Sequence, residues 1–126
     1  MRLLLIGLGG GVGSILRYLL AGLVQTGQGG SAFPAGTLAV NLLGCLAIGV
    51  VAELSEARGF LDADTRAMVV VGLIGGFTTF STFANETANA MRDNALATAS
   101  ANVILSVGLG LLAVWAGRAL AHAIWG

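Results

Sequence analysis

Four long apolar stretches dominate the sequence, and each is close to the length that a membrane-spanning helix requires. A hydrocarbon core about 30 Å thick takes roughly 20 residues of helix. The stretches run from about 3 to 24, 36 to 52, 66 to 91 and 95 to 125. Backbone polar groups find no water in lipid, so only helices and closed barrels cross it. The sequence therefore predicts an all-α integral membrane protein, one domain of four transmembrane helices over residues 1–126.

The composition agrees with a membrane chain. Of the 126 residues, 56% are apolar and 10% are charged, unlike the balance of a soluble domain. The formal net charge is zero, so nothing indicates a nucleic-acid partner. Cys45 is the only cysteine, which excludes an intrachain disulfide, and we interpret it as a small buried apolar side chain. His122, the only histidine, is interpreted as an interfacial side chain rather than a metal ligand.

The arginines bear on orientation, because an even number of spans puts both termini on one side of the membrane. The side of the termini would hold Arg2, Arg58, Arg66 and Arg118, and the other side Arg17 and Arg92. Orientation follows the excess of basic residues in short loops. Here the excess is small, so the sequence permits insertion in either orientation without requiring it.

Small residues recur at helical spacing. The glycine pairs four residues apart are Gly7 and Gly11, Gly9 and Gly13, and Gly72 and Gly76. In lipid such pairs let helix backbones approach closely. In the first helix we interpret them as packing residues.

The third apolar stretch contains a segment that is poor helix material. From Gly75 to Phe83 it reads Gly-Gly-Phe-Thr-Thr-Phe-Ser-Thr-Phe, with glycine and threonine both weak helix formers. Irregular backbone at membrane depth persists only where it is buried in protein or lines a cavity. The pattern predicts a break near residues 75–79, whose carbonyls would need a cation or donors from another chain, while the resumed helix could face an anion. The alternative is a continuous helix in which Gly72 and Gly76 only pack.

Two aromatic rings in this segment are candidate anion ligands. Phe80 and Phe83 are three residues apart and share a helix face, which is usually core or lipid contact. Here they alternate with the hydroxyl donors of Thr79, Ser81 and Thr82. An aromatic edge carries partial positive charge, and weak ring-edge contacts suit an ion that must enter and leave.

Polar residues inside the other helices are candidates too, because such groups are costly in lipid. Thr37 and Asn41 lie one turn apart on one face, and Asn41 either bonds a neighbouring helix or lines a wet path. Arg17 either extends to the interface or stands at the positive mouth of an anion pathway. Glu86 could pair with a basic group or a hydroxyl of another helix.

The fourth helix offers a weaker pair. Asn102 and Ser106 stand four residues apart and could face the same interior. A serine can also satisfy its hydroxyl on the backbone of its own helix.

These residues together resemble a known family. The segment Gly75 to Phe83 resembles the signature of the Fluc/CrcB fluoride channels. The run 10–18, Gly-Gly-Val-Gly-Ser-Ile-Leu-Arg-Tyr, and the run 36–44, Gly-Thr-Leu-Ala-Val-Asn-Leu-Leu-Gly, are similar to the same family. The likeness covers three helices in the right order and nearly the whole chain.

The resemblance implies an architecture and an activity. The expected assembly is an antiparallel, dual-topology homodimer of four-helix subunits with two pores along the subunit boundary. The expected activity is passive, fluoride-selective conduction that exports cytoplasmic fluoride and so reduces its toxicity. The expected location is a bacterial inner membrane, with the chain crossing it several times.

The resemblance also implies residue roles. Phe80 and Phe83 would coordinate fluoride by their ring edges, and Asn41 would line the pore. The polar path would include Thr79, Ser81, Thr82 and Ser106. The carbonyls of Gly75 and Thr78 would hold a structural Na⁺ at the dimer centre. The vestibule or structural polar positions would be Arg17, Thr37 and Glu86.

Two other functions remain open on the residues alone. A small dual-topology, proton-coupled exporter of another substrate would need a membrane carboxylate, and none lies between residues 3 and 24. Glu86 could serve in principle. A structural subunit would use the glycines and phenylalanines only for packing. An enzyme is least supported, because no nucleophile, base and orienting group recur together and no phosphate-binding loop is present.

Overall fold

The computed structural model describes the backbone of residues 1–126 and every side chain except those of Ala57 and Arg58. Among the described residues, four helical spans are long and apolar enough to cross a membrane. They are Arg2–Gly27, Ala35–Glu56, Ala63–Arg92 and Leu96–Trp125. The predicted all-helical fold with four membrane-length spans is thereby confirmed.

The spans consist of seven helical elements. The first two are α1 (Arg2–Gly27) and α2 (Ala35–Arg58). The third span comprises α3 (Ala63–Arg66), the π-helix π1 (Ala67–Ile74), α4 (Gly75–Phe77) and α5 (Phe80–Arg92). The fourth span is α6 (Leu96–Trp125). The wide turns of π1 are not indicated by the sequence, because its apolar run fits an α-helix equally well.

Residues 53 to 65 form a charged stretch that separates the second and third apolar stretches, so the sequence predicts a connection between helices there. The structure differs. Most of this stretch is helical, since α2 continues to Arg58 and α3 begins at Ala63. The last turns of α2 are stabilised by α6, where Arg118 Nη1 lies 3.0 Å from Glu56 Oε2 and 3.6 Å from Glu53 Oε2. His122 Nδ1 lies 3.3 Å from Glu53 Oε1. These charges mark a polar end of the bundle.

The same end holds both termini. Arg2 Nε, in the first turn of α1, donates to Asp64 Oδ1 at 2.6 Å, which joins α1 to the start of the third span. The C-terminal end of α6 meets the end of α2 through Arg118. Arg58, which the orientation argument counted on this side, has its side chain outside the described residues.

Glycines bring α1 against the third span at backbone distance. A Cβ at Gly9 would lie 2.5 Å from the carbonyl oxygen of Met68, and one at Gly13 would collide with the carbonyl oxygen of Leu73. From the other side, a Cβ at Gly76 would lie 2.5 Å from the carbonyl oxygen of Gly10. Gly7 and Gly11 form a second glycine stripe on α1, and a Cβ added at either of them would meet nothing within 4 Å. One of the two stripes of α1 therefore packs, while the other is open within the chain.

The contrast between these stripes gives a matched pair of variants. We expect Gly13→Ala to lower the free energy of unfolding by about 1–3 kcal/mol, because the added methyl overpacks two backbones that cannot move independently. Thermal unfolding of the purified protein in detergent measures the change. Gly11→Ala adds the same methyl two residues away in open space, so an equal loss in both variants would contradict the close-packing interpretation.

Candidate functional site

The third span is extended at two residues. Thr78 has φ −90° and ψ 157°, and Thr79 has φ −151° and ψ 109°. Gly75 is helical, with φ −61° and ψ −40°. The irregular backbone is therefore shorter than the segment 75–79 named from the sequence, and the two glycines lie in α4 before it.

Asn41 of α2 satisfies the backbone at this point. The Thr79 N–H donates to Asn41 Oδ1 at 2.9 Å, and Asn41 Nδ2 donates to the Thr79 carbonyl at 3.1 Å. One side-chain amide thus serves both backbone groups of an extended residue, as a neighbouring strand would. Of the two interpretations of Asn41, the bond to a neighbouring helix is present, and Asn41 also lines a cavity beside it.

The side chain of Thr79 begins α5. Its Oγ1 accepts from the Thr82 N–H at 3.2 Å, which is the N-cap arrangement expected of threonine. The same hydroxyl donates to Thr82 Oγ1 at 2.9 Å and lies 3.3 Å from Ser81 Oγ. The three predicted hydroxyls therefore form one cluster at the start of α5, with Ser81 exposed.

Two carbonyls lose their helical donors because of these bonds. In a continuous helix the Thr79 N–H would serve the Gly75 carbonyl and the Thr82 N–H would serve that of Thr78. Instead these amides bond to Asn41 and to the Thr79 hydroxyl. Carbonyl oxygens released from an unwound membrane helix are the kind of ligand that binds small cations in membrane proteins. The residues present therefore fit a cation coordinated by backbone oxygen.

The two rings meet at a cavity. The ring centroids of Phe80 and Phe83 are 5.5 Å apart with planes inclined at 49°. Phe80 is 78% exposed, and Phe83 is half-buried. Both line an open cavity of about 420 Å³ between α2, the third span and α6. The other predicted site residues that line it are Asn41, Gly75, Thr78, Thr79 and Ser106.

A second cavity, of about 340 Å³, is also bordered by Thr79. It is lined by Arg17 of α1, Thr37 of α2, Thr79 and Thr82, so Thr79 borders both cavities. Arg17 is half-buried and has no hydrogen-bond or ion-pair partner among the described residues. Its guanidinium therefore adds an unneutralised positive charge to this cavity.

Glu86 is hydrogen-bonded to Thr37, one of the residues that line the second cavity. Thr37 Oγ1 donates to Glu86 Oε1 at 2.7 Å, so the partner of this carboxylate is a hydroxyl. Its other oxygen, Oε2, is buried without a partner among the described residues. The bond joins α2 to α5 one turn away from the bond between Asn41 and Thr79.

Sequence reasoning did not identify Thr87. Its Oγ1 donates to the Phe83 carbonyl at 2.8 Å and accepts from Asn102 Nδ2 at 2.9 Å. Ser106 Oγ in turn donates to Asn102 Oδ1 at 3.3 Å. The sequence feature that could have identified Thr87 is its spacing of four residues from Phe83. That spacing puts the Thr87 hydroxyl beside the Phe83 carbonyl on the same helix.

Comparison with known proteins identifies the family to which the chain belongs. Residues 4–118 match the family described as CrcB-like protein, Camphor Resistance (CrcB). The chain belongs to the CrcB family. The resemblance drawn from the motif is confirmed, and the enzyme alternative is excluded.

Curated relatives of this CrcB chain carry the name fluoride-specific ion channel FluC. One from Methylobacillus flagellatus is 40% identical over 116 residues, covering 92% of this chain and 91% of the relative. One from Solibacter usitatus is 48% identical, covering 97% and 99%. One from Phocaeicola vulgatus is 49% identical, covering 91% and 93%. The likeness extends over whole chains and is not restricted to the motif.

The geometry around Thr79 predicts the effect of removing its partner. We expect Asn41→Leu to lower the free energy of unfolding by about 2–6 kcal/mol, because each of two buried backbone groups loses its hydrogen bond at about 1–3 kcal/mol. Thermal unfolding in detergent and hydrogen exchange of the Thr79 amide measure the loss. The control is Asn85→Leu, which makes the same replacement at an exposed position of α5. Unchanged exchange at Thr79 in the Asn41 variant would contradict this role.

Proposed function

We propose that this CrcB chain is a fluoride-selective passive channel that exports cytoplasmic fluoride and so reduces its toxicity. The observation that carries the proposal is the cavity that Phe80 and Phe83 line together with Asn41 and Ser106. Relatives that share 40%, 48% and 49% of their residues with this chain are named fluoride-specific ion channels. The location implied by this role is a bacterial inner membrane.

The physical demand on such a channel is replacement of the hydration shell. Fluoride is small and strongly hydrated, and removing its water without substitutes costs many kcal/mol. Ring edges carry partial positive charge, and Asn41 has a second N–H besides the one bonded to Thr79. These groups supply weak, separate donors that an anion can enter and leave, and Ser106 lines the same cavity. Arg17 supplies the positive charge at the mouth.

The open side of the cavity supports a dimer. The ring of Phe80 is 78% exposed, so the cavity of a single subunit is open at this ring. The groups of one subunit could contact an ion from one side but could not enclose it. A second copy placed against this face would close the cavity, and twofold symmetry then gives two equivalent pathways along the boundary. The small excess of arginines on the side of the termini permits the copies to insert in opposite orientations. The proposed assembly is therefore an antiparallel, dual-topology homodimer with two pores.

The released carbonyls support a structural cation at the centre of that dimer. Gly75 and Thr78 line the open cavity, and their amide partners bond elsewhere. One such pair from each subunit would supply four oxygens to Na⁺, a hard cation that prefers oxygen ligands. The cation would thereby link the two subunits and neutralise the carbonyl dipoles.

A second candidate is a proton-coupled exporter of another substrate, favoured by the unpartnered Oε2 of Glu86. A carboxylate at membrane depth is a typical proton carrier. The two functions differ in driving force. A channel moves fluoride down its electrochemical gradient without a pH gradient, whereas a coupled exporter stalls when that gradient is removed.

The first test is ion efflux from liposomes that contain the purified protein, read with fluoride and chloride electrodes and with equal pH on both sides. We expect fast fluoride efflux and little chloride efflux. Phe80→Ile and Phe83→Ile should each reduce fluoride efflux at least tenfold, since aliphatic side chains have no positive edge. Gel filtration should still show a folded dimer.

The matched control is Phe60→Ile, in the connection between α2 and α3, where the ring is 61% exposed and far from the cavity. It should conduct as the unchanged protein does. Equal chloride efflux, absence of fluoride efflux, or dependence on a pH gradient would contradict the channel. Normal efflux from both ring variants would show that the rings only pack.

The second test concerns the dimer and its cation. A Cβ at Gly75 would meet only the carbonyl oxygen of Val70 within the chain, at an ordinary 3.5 Å. A side chain there is therefore tolerated by a single subunit but would enter the proposed interface. We expect Gly75→Leu to shift the protein from dimer to monomer in gel filtration with light scattering, and replacement of Na⁺ by N-methylglucamine to weaken the unchanged dimer.

Gly108→Leu is the control, because a Cβ at that position of α6 meets nothing within 4 Å and is likewise tolerated by a single subunit. A Gly75→Leu dimer as stable as the unchanged one, and insensitive to Na⁺, would count against the carbonyl site.

A further inference from the structure

A chain of hydrogen bonds connects α6 to α5 beside the cavity, and the role inferred for it rests on the proposed fluoride conduction. Ser106 Oγ donates to Asn102 Oδ1 at 3.3 Å, Asn102 Nδ2 donates to Thr87 Oγ1 at 2.9 Å, and Thr87 Oγ1 donates to the Phe83 carbonyl at 2.8 Å. We call these four residues the α5–α6 relay. Both of its ends, Phe83 and Ser106, line the cavity.

The centre of the relay is the most deeply buried polar side chain of α6. Asn102 is 2% exposed on a helix that is otherwise strongly apolar. A buried amide whose ends lack partners is costly in lipid. Both ends of Asn102 have partners, so its side chain is held between Ser106 and Thr87 rather than free to turn toward lipid.

In this arrangement the Ser106 hydroxyl is unsuited to an anion. A hydroxyl has one proton, and that of Ser106 is directed at Asn102 Oδ1. Toward the cavity, Ser106 Oγ therefore offers only lone pairs. An anion requires the opposite, a donor that points at it.

A half-turn of the Asn102 amide reverses the relay. The oxygen and nitrogen ends of the amide have nearly the same shape and size. After the half-turn, Nδ2 donates to Ser106 Oγ, and Oδ1 accepts from the Thr87 hydroxyl. The Ser106 proton is then available to the cavity. Thr87 leaves the Phe83 carbonyl, which keeps the backbone N–H four residues later in α5 as its donor.

We propose that Asn102 is a positioning residue that sets the direction in which the Ser106 hydroxyl donates. Without an anion, the reversed arrangement has one hydrogen bond fewer, so the resting arrangement dominates. Fluoride in the cavity supplies the missing acceptor for Ser106 and shifts the population toward the reversed arrangement. In both arrangements the buried amide stays paired, so the half-turn leaves no group of Asn102 unsatisfied in lipid.

The test is fluoride efflux from liposomes over a range of fluoride concentrations for the unchanged protein, Asn102→Leu, Ser106→Ala and the double variant. In Asn102→Leu the Ser106 hydroxyl turns to the backbone carbonyl four residues earlier and is lost as a donor. We expect each single variant to raise the half-saturating fluoride concentration about tenfold, as for loss of one hydrogen bond to an ion. The double variant should equal the single ones, because both remove the same donor.

Ser100→Ala is the matched control, since it removes an exposed hydroxyl from the same helix and should leave the half-saturating concentration unchanged. Thermal unfolding and gel filtration of every variant identify a loss of folding. If Asn102→Leu does not fold, Asn102→Thr replaces it in the same cycle, because threonine keeps a hydroxyl but cannot span from Ser106 to Thr87.

Effects that add in the double variant, or an Asn102 variant with unchanged half-saturation, would overturn the positioning role. The positioning role would also be overturned if the Asn102 variant had a reduced melting temperature and a lower maximal rate but no change in half-saturating fluoride concentration. A purely structural residue would produce that result. Absence of fluoride efflux from the unchanged protein would instead contradict the proposed function itself, so the two failures are distinguishable.

Discussion

The backbone of Thr79 is the point on which the rest of the arrangement depends. An extended residue at membrane depth exposes an N–H and a carbonyl to a medium that offers neither donors nor acceptors, at a cost of several kcal/mol for each group. Asn41 supplies both partners from a neighbouring helix. The interruption of the third span is therefore stable only while α2 holds this register against α5.

Packing around the same point depends on that register. A Cβ at Gly44, one turn after Asn41 on α2, would collide with Cγ2 of Thr78, so the helix that provides the amide also leaves room for the extended residues. On the opposite side, Gly76 lies against the backbone of Gly10 in α1. The third span is thus held between two helices that approach it at glycines, which brings Arg17 and Thr37 to the cavity beyond Thr79.

Apolar length alone predicts the four spans, because lipid thickness leaves little freedom, and the spacing of Phe80 and Phe83 predicts that their rings meet. The sequence does not predict π1, because the apolar run Ala67–Ile74 fits an α-helix equally well. It also places the irregular backbone too early, at Gly75, since weak helix propensity is overridden where Gly76 packs against the backbone of Gly10 in α1. Thr87 was missed because its partners, Phe83 and Asn102, belong to two different helices.

The polar groups of the site divide into those that serve the backbone and those left for a ligand. The hydroxyl of Thr79 is used by Thr82, and one N–H of Asn41 is used by Thr79. The donors left toward the cavity are one N–H of Asn41, the ring edges and, after reversal of its hydrogen bond, the hydroxyl of Ser106. These are few and weak donors at fixed positions, which suits a small anion that must exchange its water gradually.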